Sequence, residues 1–251
     1  MKEKIYTIPV NEAFESGDEC PFCYMERDAE QRSIRYFAGP GASYMEPEIR
    51  ALTDKDGFCV HHMKKLYDYG NPLGSALMLQ TYYTGLLAEF HEQTENYEIP
   101  ERKSLFGRKK QPAGKMPYDQ RLQQRVDSCI ICDRVHDSVK RYTHTFFRLL
   151  REPEFREKVE KSKGFCLGHF SMLLRQGEQE LPAAQQEWFY GTVYRLMEDN
   201  LVRVKEDLDW MIAKYDYRNA GAPWRNSRDA LQRAMQKLEG SHPADPPYRQ
   251  E

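Results

Sequence analysis

Cys129-Ile130-Ile131-Cys132 is followed by Gly164-Phe165-Cys166-Leu167-Gly168-His169, with 33 residues between Cys132 and Cys166. The same wording occurs earlier in the chain, where Cys20-Pro21-Phe22-Cys23 is followed by Gly57-Phe58-Cys59-Val60-His61-His62, with 35 residues between Cys23 and Cys59. These four motifs contain all six cysteines of the 251-residue protein. Residues three apart in the first turn of a helix share one face, so Cys-x-x-Cys presents two sulfurs together and Cys-x-x-His presents a sulfur and an imidazole. Two such half-sites can close a tetrahedron of three thiolates and one histidine. The candidate ligands are therefore Cys20, Cys23, Cys59 and His62, and Cys129, Cys132, Cys166 and His169.

Working outward, the motifs recur with shifts of 109 (Cys20 to Cys129) and 107 residues (Cys59 to Cys166), as an internal repeat requires. Glu46-Pro47-Glu48-Ile49-Arg50 and Glu152-Pro153-Glu154-Phe155-Arg156 precede the two Gly-Phe-Cys motifs at similar distances. The repeat also chooses between adjacent histidines: His61 aligns with Gly168 and His62 with His169, so His62 is the ligand. The near-equal spacings favour closure within each repeat. The alternative is a swapped pairing, in which Cys20 and Cys23 join Cys166 and His169.

The expected fold is all-α: two pseudo-symmetric helical repeats, each closed by a Cys3His metal site. Leu73, Leu77, Tyr83, Leu86, Leu87 and Phe90 recur mostly at spacings of three and four, as do Phe189, Val193, Leu196, Val204, Leu208 and Met211 between Leu181 and Tyr217. Both read as core faces of long helices. The expected divisions are an N-terminal repeat over 1–97, a basic, flexible linker over 98–118, a C-terminal repeat over 119–217, and a C-terminal helix with a frayed tail over 218–251. Pro100, Gly107, Pro112, Gly114 and Pro117 punctuate the linker. Ser227 is expected to cap the last helix over Ser227 to Leu238, and Glu46 and Glu152 to start helices. Only Ile5-Tyr6-Thr7-Ile8-Pro9-Val10 resembles a strand.

Acidic and basic side chains nearly balance, 39 against 37, which argues against a polyanion-coating role, so nucleic acid is not an expected partner. No apolar run reaches the roughly 20 residues of a membrane span, and Met1-Lys2-Glu3-Lys4-Ile5-Tyr6 lacks a signal-peptide core, so the expected location is the cytoplasm, without membrane attachment. In a reducing cytosol, thiols arranged in this way serve as ligands and not as disulfides. Pro21, suited to the first helical position, fits Cys20 at a helix start, where a thiolate is stabilised. A thioredoxin-like reading of Cys20-Pro21-Phe22-Cys23 needs a strand directly ahead of the motif, and none is apparent.

Four protein ligands saturate zinc and leave no position for a catalytic water, so the leading cofactor is structural zinc, two ions, supporting an interaction scaffold with a protein partner. The alternative is an iron-sulfur cluster, or redox-active zinc-thiolate, in an electron-transfer or sensor protein. No nucleophile with a nearby base stands out from spacing, so no enzymatic activity is assigned.

Ser43-Tyr44-Met45-Glu46-Pro47, Gly57-Phe58-Cys59-x-x-His62, Gly70-Asn71-Pro72-Leu73-Gly74-Ser75-Ala76-Leu77-Met78-Leu79 and Asp216-Tyr217-Arg218-Asn219 accompany the Cys-x-x-Cys motifs. With them, nearly the whole chain resembles an uncharacterised bacterial, Firmicutes-type family of helical proteins with no assigned activity. The resemblance implies a bacterial cytoplasmic origin and the cysteine pattern as a hallmark. Pro72 stands where a polar residue would be expected.

Overall fold

A computed structural model describes residues 6–41, 43–95 and 117–240. Every regular element among them is helical: α1 (Ile8–Glu15), α2 (Pro21–Ala38), a 3-10 turn (Ser43–Met45), α3 (Pro47–Asp56), α4 (Val60–Tyr69), α5 (Pro72–Glu95), α6 (Tyr118–Asp127), α7 (Ile130–Leu149), α8 (Pro153–Lys161), α9 (Leu167–Glu180), α10 (Ala183–Ala213), a second 3-10 turn (Tyr217–Asn219) and α11 (Ala230–Glu239). No described helix is long and apolar enough to cross a membrane. The linker expected over 98–118 lies outside the described residues except at Pro117 and Tyr118, where α6 begins. The tail from Ser241 also lies outside them.

Two compact units emerge among the described residues, one joining 6–30 to 135–240 and the other formed by 31–41, 43–95 and 117–134, with the divisions inside α2 and α7. The first unit is built on phenylalanine. Phe14 of α1 packs against Phe155 of α8 (ring centroids 5.2 Å apart) and Phe146 of α7 (5.6 Å), and Phe146 meets Phe22 of α2 at 5.5 Å. Phe189 and Val193 of α10 are also fully buried in this core. Burying each such ring stabilises the unit by about 2 kcal/mol.

In the strand-like stretch, Tyr6 and Thr7 form a turn and Ile8 to Val10 are the start of α1, while Ile5 lies outside the described residues. Val10, Ala13 and Phe14 are buried at spacings of three and one, one face of a helix, so tertiary burial overrides the β preference of Ile8 and Val10. Pro9 sits in the first turn, where its missing N–H is harmless.

In the second unit Ile34 and Phe37 of α2, Ile49 of α3, Leu66 of α4 and Met78 of α5 are buried. Phe37 meets Phe58 edge-on at 6.0 Å, and the Arg134 guanidinium lies 4.5 Å over the Tyr36 ring. Arg125 and Arg121 of α6 pair with Glu89 of α5 at 2.9 and 3.4 Å. The expected apolar face of α5 is only partly inward: Gly74 and Met78 are buried, whereas Leu73, Tyr83, Leu87 and Phe90 are exposed. Helical period identified the element correctly but could not say which apolar residues find a neighbour. In α10 the expected core residues Phe189, Val193, Leu196 and Val204 are buried.

Glu46 and Glu152 do start helices, as N-caps of α3 and α8 with Pro47 and Pro153 behind them. The last helix begins later than expected, at Ala230. Ser227 does not cap it: its hydroxyl donates to the Trp224 carbonyl, 2.7 Å away, closing a turn of its own.

Candidate metal centres

Each motif cysteine that opens a pair stands at the boundary of a helix. The carbonyl of Cys20 accepts from Tyr24 N–H (3.1 Å), that of Cys59 from Met63 (2.8 Å), that of Cys129 from Asp133 (3.1 Å) and that of Cys166 from Phe170 (2.8 Å). The first ligand is thus the N-cap of α2, α4, α7 or α9, and the second ligand follows one turn later on the same face. Two helix N-termini meet at each group, and their partial positive charges favour thiolates.

The pairing is crossed. Cys20, Cys23, Cys166 and His169 form one group, within the first unit; Cys59, His62, Cys129 and Cys132 form the other, within the second. Closure within each sequence repeat is therefore corrected to the swapped arrangement. In both groups all ligand atoms lie within 4.8 Å of one another. His169 Nδ1 is 3.5 Å from the sulfurs of Cys20 and Cys23 and 3.2 Å from that of Cys166. His62 Nδ1 is 3.3 Å from Cys59 and Cys132 and 3.2 Å from Cys129, and the Cys59 and Cys132 sulfurs are 3.8 Å apart. His62, not its exposed neighbour His61, is the histidine that reaches all three sulfurs.

Local sequence explains why the half-sites hold this shape. Gly57 and Gly164, which open the two Gly-Phe-Cys motifs, have φ of 59° and 78°, a region that a side chain rarely enters. An added Cβ would also meet Tyr82 at 3.1 Å or Met197 at 3.3 Å. The phenylalanines inside the motifs are anchors: Phe22 and Phe165 are fully buried, 6.1 Å apart, and Phe22 lies 5.5 Å from the His169 ring. In the second unit Ile130 N–H donates to the Gly57 carbonyl at 3.1 Å, a backbone bond that joins the two half-sites directly.

Three residues beyond the motifs complete the first centre. Glu26, one turn past Cys23, places a carboxylate 3.6 Å from Nε2 of His169, as second partners of metal-bound imidazoles do. Burial, partly offset by His169, pushes the Glu26 carboxyl above its ordinary pKa. Lys237 of α11 is 1% exposed; its ammonium donates to the carbonyl of Glu19 at 2.6 Å and to that of Lys163, and pairs with the Glu19 carboxylate at 3.4 Å. Gly240, at the end of the same helix, lies so close that a Cβ there would be 3.4 Å from the Cys166 sulfur and 3.6 Å from that of Cys23. Sequence reading did not single out Glu26, although its place one turn beyond Cys23 on the same helix was a signal that could have found it. Nothing in the sequence connects Lys237 or Gly240 to cysteines so distant in the chain.

Protonation is divided unevenly within the groups. Burial opposes charge on His169, yet its contacts with the sulfurs of Cys166 and Cys20 hold its pKa up to about 10. Burial likewise opposes a thiolate at Cys129, but the His62 contact wins and lowers its pKa to about 6. Ligand atoms on one tetrahedral zinc, with bonds of about 2.3 Å to sulfur and 2.0–2.1 Å to nitrogen, lie about 3.6–3.8 Å apart, so the side chains fit a single ion. All six cysteines are unpaired as disulfides.

His144, without a role in either group, pairs with Glu180 at 3.2 Å on the surface. No curated protein and no solved structure matches the chain. A family model described as a family of unknown function, DUF6062, matches residues 1–245, and the chain belongs to that family.

Proposed function

We propose that the protein binds two zinc ions, one in each Cys3His group, and that the ions are structural, holding helices together in a scaffold for a protein partner. The observation that carries this reading is the convergence of four ligand atoms within 4.8 Å in each group, with the Cys59 and Cys132 sulfurs at 3.8 Å. That spacing suits one tetrahedral ion. An iron-sulfur cluster distributes its four protein ligands over two or more irons with bridging sulfides between them, so the ligands on different irons lie further apart than those on a single ion. Three thiolates and a neutral imidazole leave a bound zinc centre with one net negative charge and no free coordination position, which suits structure better than catalysis. Six free thiols in two such centres suit a reducing cytosol.

The partner reading draws on the second unit. Between α4 and α5 lies a cavity of about 630 Å³, lined mainly by apolar residues, among them Phe58, Met63, Leu66 and Met78. Its lining residue Tyr67 is 85% exposed, and Val60 and Leu73, on the same two helices, are 87% and 65% exposed. An apolar cavity open beside exposed apolar side chains is a frequent mark of a protein interface.

Metal analysis by mass spectrometry, with an absorption spectrum of the same anaerobic sample, tests the reading. About two zinc ions per chain and no visible band are expected for closed tetrahedral sites. Iron with acid-labile sulfide and a broad visible band would overturn it in favour of a cluster.

Acid should release the zinc. Bound ligands must be deprotonated, and His169, with a pKa held up to about 10, carries a proton that zinc has to displace at every pH below that value. Binding therefore releases protons, so affinity rises with pH and falls in acid. Half-release is expected between about pH 4 and pH 6, read with a zinc-responsive dye. Full retention at pH 4 would contradict this linkage.

A further inference from the structure

The two groups have the same ligands and very different surroundings. Cys20, Cys23 and Cys166 are at most 2% exposed and His169 is 8% exposed, with the α11 terminus at Gly240 lying against two of the sulfurs. In the second group Cys129 and His62 are buried, but Cys59 is half-buried and Cys132 is exposed. Oxidants act on thiolates they can reach, so identical chemistry becomes unequal reactivity.

We propose that Cys132 is an oxidation site, attacked first by peroxide, and that its resolution with Cys59 releases the metal of the second unit while that of the first stays bound. This rests on the two-zinc reading above and adds regulation to one of the two sites. The Cys132 thiolate attacks a peroxide oxygen, the O–O bond breaks, and the departing hydroxide takes a proton to become water, leaving a sulfenic acid. The Cys59 thiolate, 3.8 Å away, then attacks that sulfur; the S–S bond forms, the S–O bond breaks, and the hydroxide again leaves as water after taking a proton. Two thiolates, one hydrogen peroxide and two protons thus become one disulfide and two waters. The ion is left with Cys129 and His62 alone, too few ligands to hold a structural zinc. Cys59 opens α4 and Cys132 stands in the first turn of α7, so the disulfide joins these two helices.

The test is peroxide titration of the full-length, zinc-loaded chain, with released zinc followed by dye and the cysteines mapped by alkylation and peptide mass spectrometry. One zinc per chain is expected to leave at least about tenfold faster than the other, with Cys59 and Cys132 the first residues lost to alkylation. Addition of a thiol reductant and zinc should restore both. Cys132→Ser, which lacks one residue of the second group, should load a single zinc, and peroxide should release that ion in the slow phase only, at the unchanged rate. Simultaneous release of both ions, or a first disulfide lacking Cys132, would overturn the proposal. Zinc content before peroxide is a separate readout: a chain starting without zinc overturns the two-zinc reading and this one with it, whereas two zincs lost together overturn this one alone.

Discussion

Cys166→Ser is expected to lose one zinc and destabilise the first unit by about 4 kcal/mol, while the second unit keeps its ion. Binding energy of a structural zinc is folding energy, on the order of 10 kcal/mol in small zinc domains. Losing one of four ligands that costs about three orders of magnitude in affinity removes about 4 kcal/mol of it. The decisive measurement is a double-mutant comparison by denaturant unfolding and zinc content. Adding Cys20→Ser to Cys166→Ser should cost little more, because both residues belong to one group and the ion has already gone. Adding Cys129→Ser should cost a second, separate increment and the second zinc. The reverse outcome, with Cys129 and Cys166 non-additive, would mean that each repeat closes on itself and that the crossed pairing is wrong.

Lys237→Met should lower the stability of the first unit by about 3 kcal/mol, although residue 237 is far from any ligand in sequence. A single ammonium holds the carbonyl of Glu19, the residue before Cys20, and that of Lys163, the residue before Gly164-Phe165-Cys166. It therefore joins the backbones of the two half-sites. Removing it leaves two buried carbonyls unpaired, at about 1–3 kcal/mol each. The Glu19 carboxylate retains Arg203 at 2.6 Å, which keeps the loss below that of a wholly orphaned buried charge. Burial lowers the Lys237 pKa, against the pull of Glu19 and Cys20, so the site already bears a desolvation cost that its contacts offset. Denaturant midpoints and competitive zinc titration check this. Weaker zinc binding in the first unit, with that of the second unchanged, is expected; unchanged stability and affinity in both would remove Lys237 from the centre.

Much of the candidate site was legible because its chemistry is local. A cysteine with a second ligand three residues on reads as a helix start, and all four such starts are present. Other local signals held as well, since Glu46-Pro47 and Glu152-Pro153 begin helices where caps and proline say they should. Ser227 did not, because its hydroxyl is taken by Trp224 O and the helix waits until Ala230. The α5 stripe shows a different limit. Periodicity marks one face as apolar, but exposure at Leu73, Tyr83 and Leu87 depends on which neighbours arrive.

The amino-acid sequence by itself determined the helical class, the eight residues of the two Cys/His groups and the choice of His62 over His61. Only the tertiary structure decided which half-sites close together, and the reason is a comparison of energies. Local closure would span loops of about 40 residues, whereas Cys20 and His169 are 149 apart, and a loop about four times longer costs only about 1 kcal/mol more in closure entropy. Against this, Phe22 and Phe165, one in each half-site of the first centre, are both fully buried in one phenylalanine core, each contributing about 2 kcal/mol. Packing therefore outweighs proximity along the chain. The same rule hides Lys237 and Gly240 from any sequence reading, since they reach the first centre through the fold alone.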